Sequence, residues 1–248
     1  MKILVCISHV PDTTSKINFT DNNAKFDSSG VQFVINPYDE FALTRAMWFK
    51  EKQGATVTVA TVGNATTEPT LRKALAIGAD DAIRVNAEAL DGFTVAKELA
   101  EVVKTGGYDL VLAGKESIDY NGGMVPAMLA TLLDFNFVNA CIGLEIDGDK
   151  ATISREIDGG KEMLEANLPL IIAGQKGLVE EKDLRIPNMR GIMMARQKPL
   201  NIVESSNGIA TTSIVSFEKQ AAKSACKLVA ADNLDELISL LHNEAKVI

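Results

Sequence analysis

The sequence predicts a three-layer α/β protein, with a mostly parallel sheet covered by helices on both faces and an extended C-terminal arm. Three observations carry this expectation. Short apolar runs alternate with stretches of helical spacing from the N-terminus to about residue 133, the pattern of repeated β–α units. The runs are apolar throughout, as strands covered on both faces must be. From Asp134 the rhythm changes to hairpin-type sequence, and after residue 200 the chain shows little core-forming pattern of its own. Residues 1–200 are expected to form one α/β domain. Residues 201–248 have a weak core of their own and need something to pack against: they could form a domain of their own, or, as expected here, an arm and a helix that pack on a partner subunit.

The elements follow in order. Leu4–Ile7 opens the chain as a short buried strand, and polar, Asn/Asp-rich sequence runs to about Asn23. Val31–Ile35 is a second strand, ended by Asn36-Pro37. Phe41, Ala42, Ala46 and Phe49 recur at helical spacing between Tyr38 and Lys52, with Asn36 or Asp39 placed to cap that helix and Pro37 suited to its first turn. Thr56–Val62 is a β-branched strand closed by Gly63-Asn64-Ala65, and a helix from about Thr67 to Ile77 stops at Gly78. Ala82–Val85 is a strand. Phe93–Lys104 is a helix with Val95, Leu99, Val102 and Val103 inward, and Gly106-Gly107 closes it. Asp109–Ala113 is the next parallel-type strand, followed by Gly114 and by a helix over Met124–Leu133.

Beyond this point Cys141–Ile146 and Ala151–Ile157 flank the turn Asp147-Gly148-Asp149, which reads as a hairpin. Asp158-Gly159-Gly160 is a second turn, and Pro169–Ala173 another apolar strand. No Ser/Pro-rich linker intervenes, so these strands are expected to extend the same sheet. Gln175–Arg196 is charged. Leu234–Leu241 is a terminal helix capped by Asp232 or Asn233.

Composition narrows the function. The 248 residues carry 33 acidic and 25 basic side chains, a formal net charge of −8, with 46% apolar and 23% charged residues. An acidic chain lacks the basic face that a nucleic-acid binder needs. Cys6, Cys141 and Cys226 are isolated, which favours a reducing compartment over a disulfide framework or thiolate zinc site. The N-terminal apolar run is too short for a secretion signal, and no stretch approaches the length of a membrane span. A soluble cytoplasmic protein with no direct membrane insertion is expected.

The catalytic inventory is thin. His9 and His242 are the two histidines, on unrelated segments, and the HExxH, GxSxG, GxxxxGK[ST] and GxGxxG patterns are absent. His9 lies just past a strand end, where a ligand can sit, but reads more readily as a polar loop residue, and Cys6 reads as a small buried hydrophobe. The strand ends Ile7-Ser8, Val62-Gly63-Asn64 and Ala113-Gly114 carry small or capping residues, and sheets of this kind bind ligands at their carboxyl ends. The best local signal is Gly114-Lys115-Glu116-Ser117-Ile118-Asp119-Tyr120-Asn121-Gly122-Gly123-Met124, running from a buried strand through a Gly/Asp/Asn loop into a helix. Main-chain N–H groups and a helix N-terminus suit a phosphate. An ordinary turn explains the same residues. Arg155, Glu156, Asp158 and Glu162 cluster around a turn, in the manner of a solvated hairpin.

Those last residues are where the chain resembles the β subunits of electron transfer flavoproteins. The family signature is matched by Ile153, Arg155, Asp158-Gly159-Gly160, Glu162, Leu164, Pro169 and Ile171-Ile172-Ala173. Asn36-Pro37-Tyr38-Asp39-Glu40, Leu75-Ala76-Ile77-Gly78-Ala79-Asp80 and the loop from Gly114-Lys115 to Asp119 are also similar to family segments, so the resemblance covers almost the whole chain in order. It implies an adenine nucleotide α-hydrolase-like fold and a heterodimer in which an α subunit holds most of one FAD while this subunit buries AMP.

By the same resemblance, the AMP contacts are expected from Cys6, Asn36, Tyr38, Val62, Gly63, Gly114, Lys115, Asp119, Asn121, Gly122, Gly123, Met124 and Val125. Tyr38 also matches an aromatic position near the flavin ring. Asp183–Met193 resembles the family's recognition loop, where Met189, with Arg185 and Ile186 nearby, is expected to dock on acyl-CoA dehydrogenases. The family implies onward electron transfer to a quinone oxidoreductase. Met124 and Pro126 depart from the Gln and Gly found in many relatives, which removes a side-chain amide contact and leaves a main-chain cradle through Gly122 and Gly123. Three other readings compete: a bifurcating flavoprotein subunit holding a second FAD, a free-standing nucleotide-binding sensor of the same fold, and an ATP-hydrolysing enzyme. No lysine-bearing phosphate loop supports the last of these.

Overall fold

The structure is a computed structural model that describes residues 1–206, 208–221, 223 and 225–248. Its strands are β1 (Lys2–Cys6), β2 (His9–Pro11), β3 (Phe19–Thr20), β4 (Lys25–Phe26), β5 (Phe33–Ile35), β6 (Thr56–Val62) and β7 (Asp81–Asn86). β8 (Leu110–Gly114), β9 (Asn136–Asp147), β10 (Lys150–Ile157), β11 (Gly160–Asn167), β12 (Leu170–Gly174) and β13 (Leu200–Glu204) follow. The helices are α1 (Pro37–Gln53), α2 (Glu68–Ile77), α3 (Gly92–Gly106), α4 (Val125–Leu133), α5 (Met189–Ala195) and α6 (Leu234–Ser239).

Nine strands form one sheet in the order β11-β10-β9-β12-β8-β1-β6-β7-β13. From β9 to β13 every neighbouring pair is parallel, while β9, β10 and β11 form an antiparallel meander. The α/β class with helices on both faces is as the sequence predicts, and the hairpin strands do extend the same sheet. The chain winds outward from β1 through β6 to β7, then returns to place β8 on the other side of β1. That reversal puts a topological switch point between β1 and β8.

Alternation along β1 decides which helix covers which face. Ile3, Val5 and Ile7 pack with Leu43 and Met47 of α1 and Leu71 and Leu75 of α2. Leu4 and Cys6 point the other way, toward Leu99 and Val103 of α3 and Leu129 of α4. Local chemistry sets the helix limits. Gly54 ends α1 with φ 67°, and its N–H returns to Lys50 O. The Asp91 carboxylate caps α3 by accepting from Thr94 N, and Gly107 ends that helix with φ 62°. Asn36 stands at the N-cap of α1, but its side chain does not cap the helix; it is drawn to another loop, described below.

The sequence shows only fragmentary strands after residue 200, yet Leu200–Glu204 completes the sheet edge in parallel register with β7. The connection before it is stitched to α2, where the Arg72 guanidinium donates to Ala195 O and Lys198 O at 2.7 and 2.8 Å. After Glu204 the chain leaves the sheet. Its apolar side chains, among them Ile209, Val215 and Leu228, are largely exposed. Asn233 caps α6 as expected, accepting from Glu236 N, and a wider turn over Leu240–Ala245 continues that helix. No helix of the described residues is long and apolar enough to cross a membrane.

Candidate functional site

A cleft of about 1110 Å³ opens at the carboxyl ends of β1, β6 and β8, at the switch point. Its floor is small or main-chain in character: Cys6, Ile7 and Ser8 from β1 and its end, Ala60 to Gly63 from β6 and its end, and Ala113-Gly114 from β8. The β7–α3 connection makes one wall and the loop from Gly114 to α4 another. Asp39, Glu88, Asp91, Glu116 and Asp119 line it, and no lysine or arginine does among the described residues.

The two strands that flank the switch point are tied by one carboxylate. Asp39, in the first turn of α1, accepts from Ser8 N and from Gly114 N, each at 2.7 Å. Gly114 permits this contact, because a Cβ there would lie 2.5 Å from both Asp39 Oδ1 and Tyr38 Cβ. Burial pushes the Asp39 carboxyl up to about 7, against the pull of the two amides. Burial, with the Asp39 charge nearby, also pushes the Cys6 thiol up to about 12. Cys6 is therefore protonated at neutral pH and inert as a nucleophile, as its strand position suggests.

The loop between Gly114 and α4 is a miniature hairpin. Ser117 N donates to Gly122 O at 3.0 Å and Gly122 N returns to Ser117 O at 3.2 Å. Asn121 closes the turn with φ 51°, and Asp119 accepts from the Ser117 hydroxyl and from Tyr120 N. The sequence assigns the Gly122 N–H to an anion; the structure uses it inside the loop. The amides of Gly123, Met124 and Val125, at the start of α4, find no acceptor among the described residues. These are the first N–H groups of a helix, where an anion is best placed. A Cβ at Gly123 would meet Lys115 O at 3.0 Å, so a side chain there presses on the loop's own backbone.

Of the residues singled out by sequence, Cys6, Val62, Gly63, Gly114, Asp119, Gly122, Met124 and Val125 line the cleft. Asn36 lies behind the wall. Its amide donates to Glu116 O at 2.9 Å and its carbonyl accepts from Ile118 N at 3.3 Å, so it fixes the loop's shape from beneath. Gly123 and Asn121 belong to the same loop without lining the cleft. Lys115 and Tyr38 face away, the ammonium 5.7 Å from the ring centroid. Tyr38 instead lines a second hollow of about 520 Å³ with Lys176, Glu181 and Leu184.

Three contributors are not assigned to the site from the sequence. His9 is not in a loop but in β2. It lines the cleft, stacks on Phe33 at 4.3 Å and 5°, and places Nδ1 2.8 Å from Thr70 Oγ1. Burial lowers its pKa. The second contributor is the β7–α3 connection with Leu90 and Asp91, and the third is the arm, through Thr211, Thr212 and Ile214. The Asp91-x-x-Thr94 cap is a readable signal for the second. The arm carries none.

Away from the cleft, Met189 opens α5, and the Asn188 side chain caps that helix by accepting from Gly191 N at 2.8 Å. Gly191 lies against α2, where a Cβ would come 2.3 Å from Ala76 O. This packing holds the segment down while Met189 and Ile186 stand 75% and 84% exposed. Arg185 anchors the approach through Glu51 at 2.6 Å, and its N–H donates to Thr44 Oγ1. Arg155 and Glu162 are directly opposed on β10 and β11 and pair at 2.5 Å.

This architecture, with a cleft at the switch point walled by main-chain groups, defines the doubly wound α/β class. Within that class, an electron transfer flavoprotein domain family matches residues 24–207. The electron transfer flavoprotein subunit β of Bacillus subtilis strain 168 is 36% identical over 262 residues, covering 100% of both chains. That of Syntrophomonas wolfei is 37% identical over 227 residues, covering 91% of this chain and 88% of its own. That of Mus musculus is 30% identical over 257 residues, covering 100% and 99%. The chain belongs to the electron transfer flavoprotein family, among its β subunits.

Proposed function

We propose that this chain pairs with an electron transfer flavoprotein α subunit. The dimer carries electrons in the cytoplasm from flavin dehydrogenases of the acyl-CoA dehydrogenase type to a quinone oxidoreductase. The cleft holds AMP, and an FAD held mostly by the α subunit supplies the redox chemistry. The observation that carries this reading is a switch-point cleft in a chain of this family, lined at the start of α4 by Met124 and Val125, whose amides meet no acceptor among the described residues.

The residues fit a nucleoside monophosphate. Met124 and Val125, which line the cleft, offer N–H groups to a phosphate at the positive end of a helix, with the Gly123 N–H next in the same turn. The acidic lining suits ribose hydroxyls and repels a longer polyphosphate, because no lysine or arginine among the described residues of the wall offsets added charge. Asn36 and Asp39 keep the loop and the strand ends in place; no side chain of this subunit needs to move a proton. Tyr38 and the hollow beside it face the flavin of the α subunit, and Met189, Ile186 and Arg185 form the docking surface for the dehydrogenase.

One measurement tests this reading. The complex with its natural α partner is treated with acid, and the released nucleotides are counted per dimer. One AMP and one FAD are expected. Two FAD would replace AMP by the second flavin of a bifurcating carrier. The cleft's size favours that as the next reading, since at about 1110 Å³ it lies just above the roughly 300–1,000 Å³ usual for small-molecule sites. A stable monomer that recovers no flavin-bearing partner would point to a sensor instead.

A further inference from the structure

The arm does not leave the domain directly after β13; it is fastened to the domain at three places, the last two of them at residues that line the cleft, Asp91 and Tyr120. The first is Glu98, a carboxylate on α3 that is only 2% exposed. It accepts from Ser206 N at 2.9 Å, from Ser205 Oγ at 2.8 Å and from Ser206 Oγ at 2.9 Å. The second is Asp91. While Oδ1 caps α3, Oδ2 accepts from Thr211 N at 2.7 Å, Thr211 Oγ1 at 2.8 Å, Thr212 N at 2.9 Å and Thr212 Oγ1 at 3.3 Å. The third is aromatic. Phe217 stacks on Phe19 at 4.7 Å and 5° and lies 6.4 Å from Tyr120 of the α4-side loop, and its N–H donates to Asn23 O at 2.8 Å. Thr211 and Thr212 at the second fastening, and Ile214 between it and the third, line the cleft.

We infer that this part of the arm, residues 208–217, is a strap that forms the outer wall of the binding site and controls how fast the bound nucleotide leaves. The inference rests on the nucleotide reading of the cleft. The two carboxylates satisfy main-chain N–H groups of the arm that otherwise turn to water, and hydrogen bonds to a charged acceptor are the stronger kind. The strap spans the cleft from the α3 side to the loop that shapes the α4 side. A ligand held under it departs only after Asp91 or Phe217 lets go. Further along the arm, Leu228, Leu234, Leu237 and Ile238 are exposed, so the strap and the surface offered to the partner are successive parts of one segment.

Asp91→Asn isolates the latch. Asparagine caps a helix as well as aspartate does, but its amide cannot accept the four donors that Oδ2 receives. Phe217→Ala releases the other end without touching α3. Each variant, as the complete complex, is diluted into AMP-free buffer, and the AMP still bound is followed by chromatography after acid release. Hydrogen exchange at Thr211 and Thr212 is read in parallel. We expect release about tenfold faster in each variant, the effect of losing roughly 1.4 kcal/mol from a closed state, together with faster exchange at the two threonines in Asp91→Asn. Faster exchange with an unchanged release rate overturns the strap as a gate and leaves the nucleotide site standing. Unchanged exchange overturns the Asp91 latch. A wild-type complex holding no adenine nucleotide overturns the nucleotide reading and the gate with it.

Discussion

The substitution Asp39→Asn separates the two forces that act on the carboxylate at the switch point. Burial raises its pKa from 3.8 to about 7. The folded chain therefore holds this proton more tightly than the unfolded one. The stabilising contribution is complete below about pH 4 and disappears as the pH rises through about 7. A shift of about three units corresponds to about 4 kcal/mol at 1.36 kcal/mol per unit, of which about 3 kcal/mol falls between pH 5 and pH 8. The asparagine side chain does not titrate. Its single carbonyl can accept from Ser8 N or from Gly114 N but not both, and the amide left over costs about 1–3 kcal/mol. The wild type is thus expected to be the more stable protein at pH 5, and its advantage should shrink by about 3 kcal/mol, or reverse, by pH 8. Urea unfolding of both proteins at the two pH values reads this directly, using the fluorescence of the single tryptophan, Trp48, on the same helix as Asp39. Stability profiles that run parallel from pH 5 to pH 8 would refute the reasoning, because they would mean that Asp39 stays charged throughout.

Gly114→Ala drives a Cβ to 2.5 Å from Asp39 Oδ1 and Tyr38 Cβ. Overpacking of this kind costs about 1–3 kcal/mol, and calorimetry should show Tm falling by about 2–4 °C for each kcal/mol in a chain of this size. Met189→Ala should weaken docking to the donor dehydrogenase by about 1–2 kcal/mol and leave the visible flavin spectrum alone; an unaltered KM for the dehydrogenase would remove Met189 from that surface. Ending the chain after Glu204 keeps the sheet edge and deletes the arm. Subunit affinity, measured by sedimentation, is expected to fall at least about tenfold, or 1.4 kcal/mol, and full affinity would show that the arm does not embrace the partner.

The inner parallel strands β1, β6, β7, β8 and β12, the helices α1 to α4 and the β9–β10 hairpin are legible in the sequence because their signals are local. Apolar runs, 3.6-residue spacing and the Gly148 and Gly159 turns, with φ 58° and 82°, act over a few residues. The location of the cleft is legible too, since small residues at Ile7-Ser8, Val62-Gly63 and Ala113-Gly114 mark strand ends that a parallel sheet must gather on one side. Asn36 shows where this stops. Its position does identify it as an N-cap, yet its side chain chooses Glu116 and Ile118, some 80 residues away, over the helix it begins. Gly122, expected to serve a ligand, is paired with Ser117.

Fold class, family and the strand ends from which the cleft is built can all be read along the chain. How the cleft is closed cannot. That Asp39 joins β1 to β8, that His9 stacks on Phe33 at the rim, and that Asp91 grips Thr211 from 120 positions away emerge only when the chain is folded. The physical reason is that periodicity and turn chemistry are properties of neighbouring residues. A buried carboxylate, in contrast, takes whichever donors the winding of the sheet brings within about 3 Å, and no local pattern records that choice.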